Sequence, residues 1–212
     1  MAIARSLERK IERLVEGVGA RLFGGGLDVL EVASRIVREA DLNVTHDAVG
    51  PVVPNHFDVF VADGEASTSA QLNEVVEEAA RENGWRLKGP ADVVIIVDSN
   101  MSAGSVAIES TTVPGHRAAW AYLESARDQR RIPIRMNRAL IGRSRSADVV
   151  LADLEVSRGQ AILWTEQGAV WLYDIGSANG TAVNGRPITD ATRIADGDLL
   201  TFGLASFRLR TT

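Results

Sequence analysis

Between residue 117 and the carboxy terminus, no segment keeps a helical period. Apolar residues come in runs of a few, often alternating with polar ones, and turn signals cut them short. The strands read from this pattern are 118–123, 131–134, 138–142, 149–150, 160–164, 169–174, 181–183, 199–202 and 206–210. Short strands at this spacing over about a hundred residues bury a core by stacking two sheets, which predicts an all-β sandwich. Trp164, Trp171, Phe202 and Phe207 are the large side chains expected in its core or between its strands.

Pro114-Gly115 marks where this texture begins. Before it, Ile3, Leu7, Ile11, Leu14, Val15, Val18 and Leu22 recur at spacings of three and four and predict an amphipathic helix, closed by Gly24-Gly25-Gly26. A second helix is expected from about Leu27 to Leu42, with Leu30, Ala33, Ile36, Val37 and Ala40 on one face. His46 to Pro54 reads as a loop, and Phe57, Val59 and Val61 as one face of a strand. Ser67 or Ser69 can cap a third helix ending at Asn83, and Leu72, Val75, Val76 and Ala79 form its apolar face. Strands are then expected at Trp85–Leu87, Asp92–Val97 and Ser105–Thr112. This order, α-α-β-α-β-β, predicts an α+β domain over residues 1–113, a small sheet covered by helices, ahead of the sandwich over residues 117–212.

Charge divides the chain at the same place. Residues 1–114 hold 10 Lys or Arg against 18 Asp or Glu, and residues 115–212 hold 13 Arg against 10 Asp or Glu. A net charge of −5 argues against nucleic acid as a partner, while the basic half suits a small anion. There is no cysteine, which excludes disulfides, thiolate metal sites and cysteine nucleophiles and fits a reducing cytoplasm. The longest apolar run, Val93 to Val97, is far below the ~20 residues of a membrane span. Charges from Arg5 to Arg21 interrupt any signal-peptide core, so a cytoplasmic protein is expected. The helix of residues 3–22 mixes acids and bases on its polar face, so it is expected to bury against its own domain without membrane insertion.

Enzymatic signatures are missing. His46, His56 and His116 lie in loop or linker sequence without metal-ligand spacing. Gly24–Gly26 lacks a phosphate-binding frame, and Asn100 breaks a metal-loop reading of Asp98–Ser102. The expectation is a non-enzyme without metal or cofactor. Three polar, turn-forming segments, 141–151, 154–163 and 174–185, alternate with strands. In a sandwich, such loops gather at one end, which would bring together Arg143, Ser144, Arg145, Ser157, Arg158, Ser177 and Asn179. Guanidinium and hydroxyl donors with no general base bind an anion without doing chemistry on it.

The motifs of these loops, "GR…SRxxA…D-x-G-S-x-NGT-x-VNG", resemble those of the forkhead-associated (FHA) domain over roughly residues 117–212. The resemblance implies an eleven-strand sandwich that binds phosphothreonine peptides through its apical loops. It also implies roles. Arg143 orients or contacts the phosphate, Ser157 is a direct phosphate ligand, Arg158 adds a basic contact, and Asn179 reads the peptide main chain. The second Asn-Gly pair, Asn184-Gly185, is expected to be a structural turn. Two positions depart from the family pattern. Gln160 replaces the histidine that braces the serine-bearing loop, and Ala178 stands where some members place Thr or Ser.

The stretches "ERKIERLVEGVGARLFGGGLDVLEVASRIVREAD" and "VPNHFDVFVA" resemble the domain of uncharacterised function that precedes FHA domains in actinobacterial proteins. Relatives of that type are substrates and partners of Ser/Thr kinases that act in control of peptidoglycan synthesis and division. The implied function is a cytoplasmic adaptor that captures a phosphothreonine-containing protein, a Ser/Thr kinase or its substrate. The alternative is a scaffold that has lost phosphate recognition and holds a protein through a sheet face. Thr111–Arg117 nearly joins the two halves, where such relatives have a long linker.

Overall fold

The computed structural model describes residues 28–63 and 69–211. The first expected helix, its glycine stop, Leu27 and Ser67 lie outside them. The chain divides into two compact units. Of the described residues, one holds 28–45, 51–63, 69–82 and 87–115; the other holds 46–50, 83–86 and 116–211.

In the first unit, helix α1 (Val29–Leu42) starts behind Asp28, whose carboxylate accepts from Leu30 N at 3.1 Å. Its buried face is Val29, Val32, Ala33, Ile36, Val37 and Ala40. Strands β1 (Thr45–Asp47) and β2 (Gly50–Val52) form a two-stranded sheet where the sequence suggested a loop, and residues 46–50 at its tip belong to the second unit. All of β1 is exposed, so it carries no apolar alternation; its turn is set by Asp47 Oδ1 accepting from Val49 N at 2.9 Å.

Strand β3 (His56–Val61) is central in a three-stranded sheet, parallel to β4 (Asp92–Val97) and antiparallel to β5 (Val106–Thr111). A parallel pair needs a crossover, and α2 (Ser69–Asn83) supplies it. Asn73 and Glu77 of α2 accept from Val93 N at 2.7 Å and Ala91 N at 3.2 Å, tying the helix to the start of β4. Phe57, Val59 and Val61 are buried on one face of β3. His56, expected in a loop, sits in β3, with Nδ1 3.0 Å from Asp92 Oδ2.

Trp85–Leu87 does not form the expected strand; Arg86 makes only an isolated bridge. The carbonyl of Trp85 is taken by the Asn137 side-chain amide, which removes a ladder acceptor. Past β5, the chain is pinned. Buried Asn55 donates to Val113 O at 3.1 Å and accepts from Val113 N at 2.9 Å, and Gly115 N donates to Lys88 O at 3.1 Å.

The second unit is the sandwich. Its strands are β6 (Ala121–Ser125), β7 (Arg131–Ile134), β8 (Arg138–Gly142), β9 (Val149–Val150), β10 (Ala161–Glu166), β11 (Ala169–Asp174), β12 (Thr181–Val183), β13 (Arg186–Pro187), β14 (Thr192–Ile194), β15 (Leu199–Phe202) and β16 (Ala205–Thr211). One sheet is ordered β14-β11-β10-β8-β9 and the other β13-β12-β15-β16-β6-β7. The two short strands β13 and β14 are additions to the sequence reading. Alternation decides what lies inside: Ala139, Ile141, Leu163, Leu172, Leu200, Phe202, Phe207 and Leu209 fill the space between the sheets.

Of the two places open to Trp164 and Trp171, the core and the space between strands, they take the second. Trp164 and Trp171 pair across β10 and β11 on the outer face, stacked with centroids 6.3 Å apart. The Arg138 guanidinium lies 4.7 Å from the Trp164 ring centroid, and Val49 and Ile162 pack beside the pair. Their positions follow from the pleat, because the adjacent cross-strand pair, Leu163 and Leu172, faces inward.

Candidate functional site

Three loops meet at one end of the sandwich because their backbones are paired. Where β8 ends, Arg143 N donates to Ser157 O at 2.8 Å and Ser144 N to Arg158 O at 3.1 Å. This approach leaves no room for a side chain at Gly142, where a Cβ would lie 2.2 Å from Arg158 O. The loop before β10 is shaped by Asp153, whose carboxylate accepts from Glu155 N at 2.9 Å. The loop after β11 is shaped by Asp174, whose Oδ1 accepts from Gly176 N at 2.9 Å and Ser177 N at 2.8 Å. Ser157 Oγ joins the last two loops by accepting from Ala178 N at 3.0 Å.

The brace beneath them is Gln160, which is wholly buried. Its Oε1 accepts from Ser157 N at 2.8 Å. Its Nε2 reaches Ser177 Oγ at 2.8 Å, Gly180 O at 2.9 Å and Thr181 Oγ1 at 3.0 Å. The hydroxyls of Ser177 and Thr181 in turn donate to Asp174 Oδ2. Burial pushes the Asp174 pKa up, but the donors from Ser177, Thr181 and Gly176 outweigh it and hold the group below its ordinary value of 3.8. One neutral amide thus connects the serine-bearing loop to the asparagine-bearing loop.

Arg143 is exposed, and its Nε donates to Val156 O at 3.0 Å. Among the described residues its two terminal nitrogens carry no hydrogen bond and no carboxylate pairs with it. The obvious acidic neighbours are engaged elsewhere. Asp148 takes a bidentate pair from Arg86 at 2.7 and 2.8 Å and accepts from Leu140 N, while Asp153 serves its own turn. Ser157 has its acceptor side used by Ala178 N, which leaves its hydroxyl proton for a ligand. The Arg145 and Arg158 side chains are exposed and unpaired among the described residues. Asn179 is exposed, and its Nδ2 donates to Glu155 O and to Glu155 Oε2, both at 3.0 Å.

Arg143, Ser157, Arg158 and Asn179 therefore stand on loops that are hydrogen-bonded to one another. Ser177, grouped with them from the sequence, is instead committed inward to Asp174 and Gln160. Asn184 and Gly185 both have positive φ, 51° and 78°, and join β12 to β13 as a two-residue turn. Among the described residues, no group of His, Asp and Glu is arranged to hold a metal, and no helix is long and apolar enough to cross a membrane.

These loops carry the motifs of a known family. Residues 139–203 match the family model of the FHA domain, and residues 5–109 match that of the FhaA N-terminal domain. The chain carries an FHA domain. Over 68 residues it is 41% identical to the glycogen accumulation regulator GarA of Mycolicibacterium smegmatis, covering 32% of this chain. It spans only 41% of that relative's length. Two solved FHA domains are also similar. One, from a structural and functional analysis of phosphothreonine-dependent FHA domain interactions, is 29% identical, covers 43% of this chain and 96% of its own, and has a TM-score of 0.40. The other, the FhaA FHA domain complexed with the intracellular domain of Rv3910, is 30% identical, covers 42% of this chain and 99% of its own, and has a TM-score of 0.39.

Proposed function

We propose that this chain is a non-enzymatic, cytoplasmic adaptor of bacterial Ser/Thr kinase signalling, which binds a phosphothreonine on a partner protein and serves control of cell-wall synthesis or division. The observation that carries the reading is the pair formed by Arg143 and Ser157. Among the described residues, an exposed guanidinium without a carboxylate partner and a hydroxyl with an uncommitted proton stand on two hydrogen-bonded loops. Arg143 and Ser157 take the phosphate, Arg158 adds positive charge beside it, and Asn179 engages the peptide backbone. Each charge-assisted bond to the phosphate contributes about 1.5–3 kcal/mol. Three or four of them, less the cost of association, amount to roughly micromolar affinity.

The competing scaffold reading drew its motive from Gln160 in place of a histidine. What supports phosphate recognition instead is that Gln160 accepts from the Ser157 amide and donates to the Asn179–Gly180 loop, which is the work a brace has to do. The functional role of the amino-terminal domain is to contact a second protein or hold the complex in place. Calorimetric titration of matched threonine and phosphothreonine peptides into the full chain tests the reading. Binding of the phosphorylated form alone is expected, weakened about tenfold or more by Arg143→Ala or Ser157→Ala. Equal affinity for both peptides refutes it.

A further inference from the structure

One acidic side chain stands among the basic tips. Glu155 receives both hydrogens of the Asn179 amide, one on its main-chain carbonyl and one on Oε2 of its carboxylate, each at 3.0 Å. The main-chain half of this contact is fixed. Gly203 N donates to Gly180 O at 3.0 Å, and a Cβ on Gly203 would lie 2.2 Å from Glu155 O, so the β15–β16 turn backs the Glu155 backbone. The carboxylate half is free to move. Glu155 is exposed, and among the described residues its side chain has no other hydrogen bond and no cationic partner.

A peptide carbonyl that takes a hydrogen from Asn179 must displace one of these two acceptors, and the movable one is the carboxylate. Binding then leaves an anion without its donor beside the peptide, where the chain crosses Asn179. A cationic side chain on the peptide restores a partner, and an acidic one adds repulsion. We propose that Glu155 makes this site select phosphothreonine segments that carry Lys or Arg close to the phosphorylated residue. The proposal rests on the phosphothreonine reading above and adds the class of sequence read. An exposed pair of this kind is worth a preference of up to about fivefold.

The test uses the full chain and short alanine-based phosphothreonine peptides with Arg, Ala or Glu at each flanking position, each also made without phosphate. Wild type is expected to prefer Arg over Ala by about three- to fivefold at one or two positions and to disfavour Glu there. Glu155→Gln should abolish that preference while phosphate discrimination persists, and Glu155→Lys should reverse it. A preference unchanged in Glu155→Gln, or absent from a wild type that still discriminates phosphate, overturns the proposal. So does a Glu155→Gln gain shared equally by every peptide, which would make the carboxylate a general competitor. Loss of phosphate discrimination in wild type, read from the unphosphorylated peptides, overturns the underlying reading and the proposal with it.

Discussion

Removing the Gln160 side chain separates the brace from everything else in the site. In Gln160→Leu the volume is nearly kept, but the Ser157 amide loses the acceptor that now lies 2.8 Å away. That half-buried donor costs about 1–3 kcal/mol when unpaired. The Gly180 carbonyl costs less, because it is exposed and keeps its bond from Gly203 N at 3.0 Å. Gln160→Ala adds a cavity term of about 1 kcal/mol, giving about 2–4 kcal/mol in all. Neutral histidine offers one donor and one acceptor, so Gln160→His can keep both the Ser157 and the Ser177–Gly180 sides and should stay within about 1 kcal/mol of wild type. Urea unfolding followed by tryptophan fluorescence measures stability, and calorimetry with a phosphothreonine peptide measures the site. The expected order of both stability and affinity is wild type, then His, then Leu, then Ala, with a loss of about tenfold or more in affinity for Leu. A Gln160→Leu protein with wild-type stability and affinity would refute the bracing argument.

Other perturbations probe the frame around the site. Asp148→Ala removes the bidentate partner of Arg86, whose side chain is 10% exposed, and leaves it Arg138 O at 2.8 Å and Asp47 Oδ2 at 3.5 Å; it should destabilise the sandwich unit by about 2–3 kcal/mol in urea unfolding. A pair of well-packed apolar replacements at 86 and 148 should recover much of the loss. Gly203→Ala should cost more than about 1 kcal/mol, since φ is +61° and its Cβ would strike Glu155 O; a neutral result would show that the turn does not back that loop. Asp174 has a folded pKa below the ordinary 3.8, so its stabilising contribution is complete above that value and is lost as pH falls through the lower folded value. Acid titration of unfolding free energy should therefore steepen below about pH 4, and Asp174→Asn should flatten that limb.

Much of the sandwich was legible because burial on one face of a strand writes alternation into it. Arg131–Ile134, Arg138–Gly142, Ala169–Asp174 and Leu199–Phe202 are strands with the bounds read from sequence. Among the shortest strands, Val149–Val150 and Thr181–Val183 were readable from their apolar residues, while Arg186–Pro187, Thr192–Ile194 and the exposed Thr45–Asp47 left no such trace. Alternation also fails to say which face is inner when both are covered. Trp164 is only 8% exposed on the outer face, where its burial among Val49, Arg138 and Trp171 involves residues remote in sequence.

The site divides in the same way. Residue types on the three loops pointed to a group of seven, and the resemblance to FHA domains narrowed it to Arg143, Ser157, Arg158 and Asn179. The contact of Asn179 with Glu155 spans 24 positions and exists only once the strands set the loops side by side. Ser177 looked like a ligand group because its hydroxyl is chemically suited to one. Asp174, three residues before it, turns that hydroxyl inward.

The most direct measurement is an amide NMR titration of the full chain with a phosphothreonine peptide and its unphosphorylated twin. Phosphate-dependent shifts are expected at Arg143, Ser157, Ala178 and Asn179, with little change at Trp164 and Trp171 on the outer sheet face. Shifts confined to that sheet face, or the same shifts from both peptides, would contradict phosphate-dependent binding at these loops.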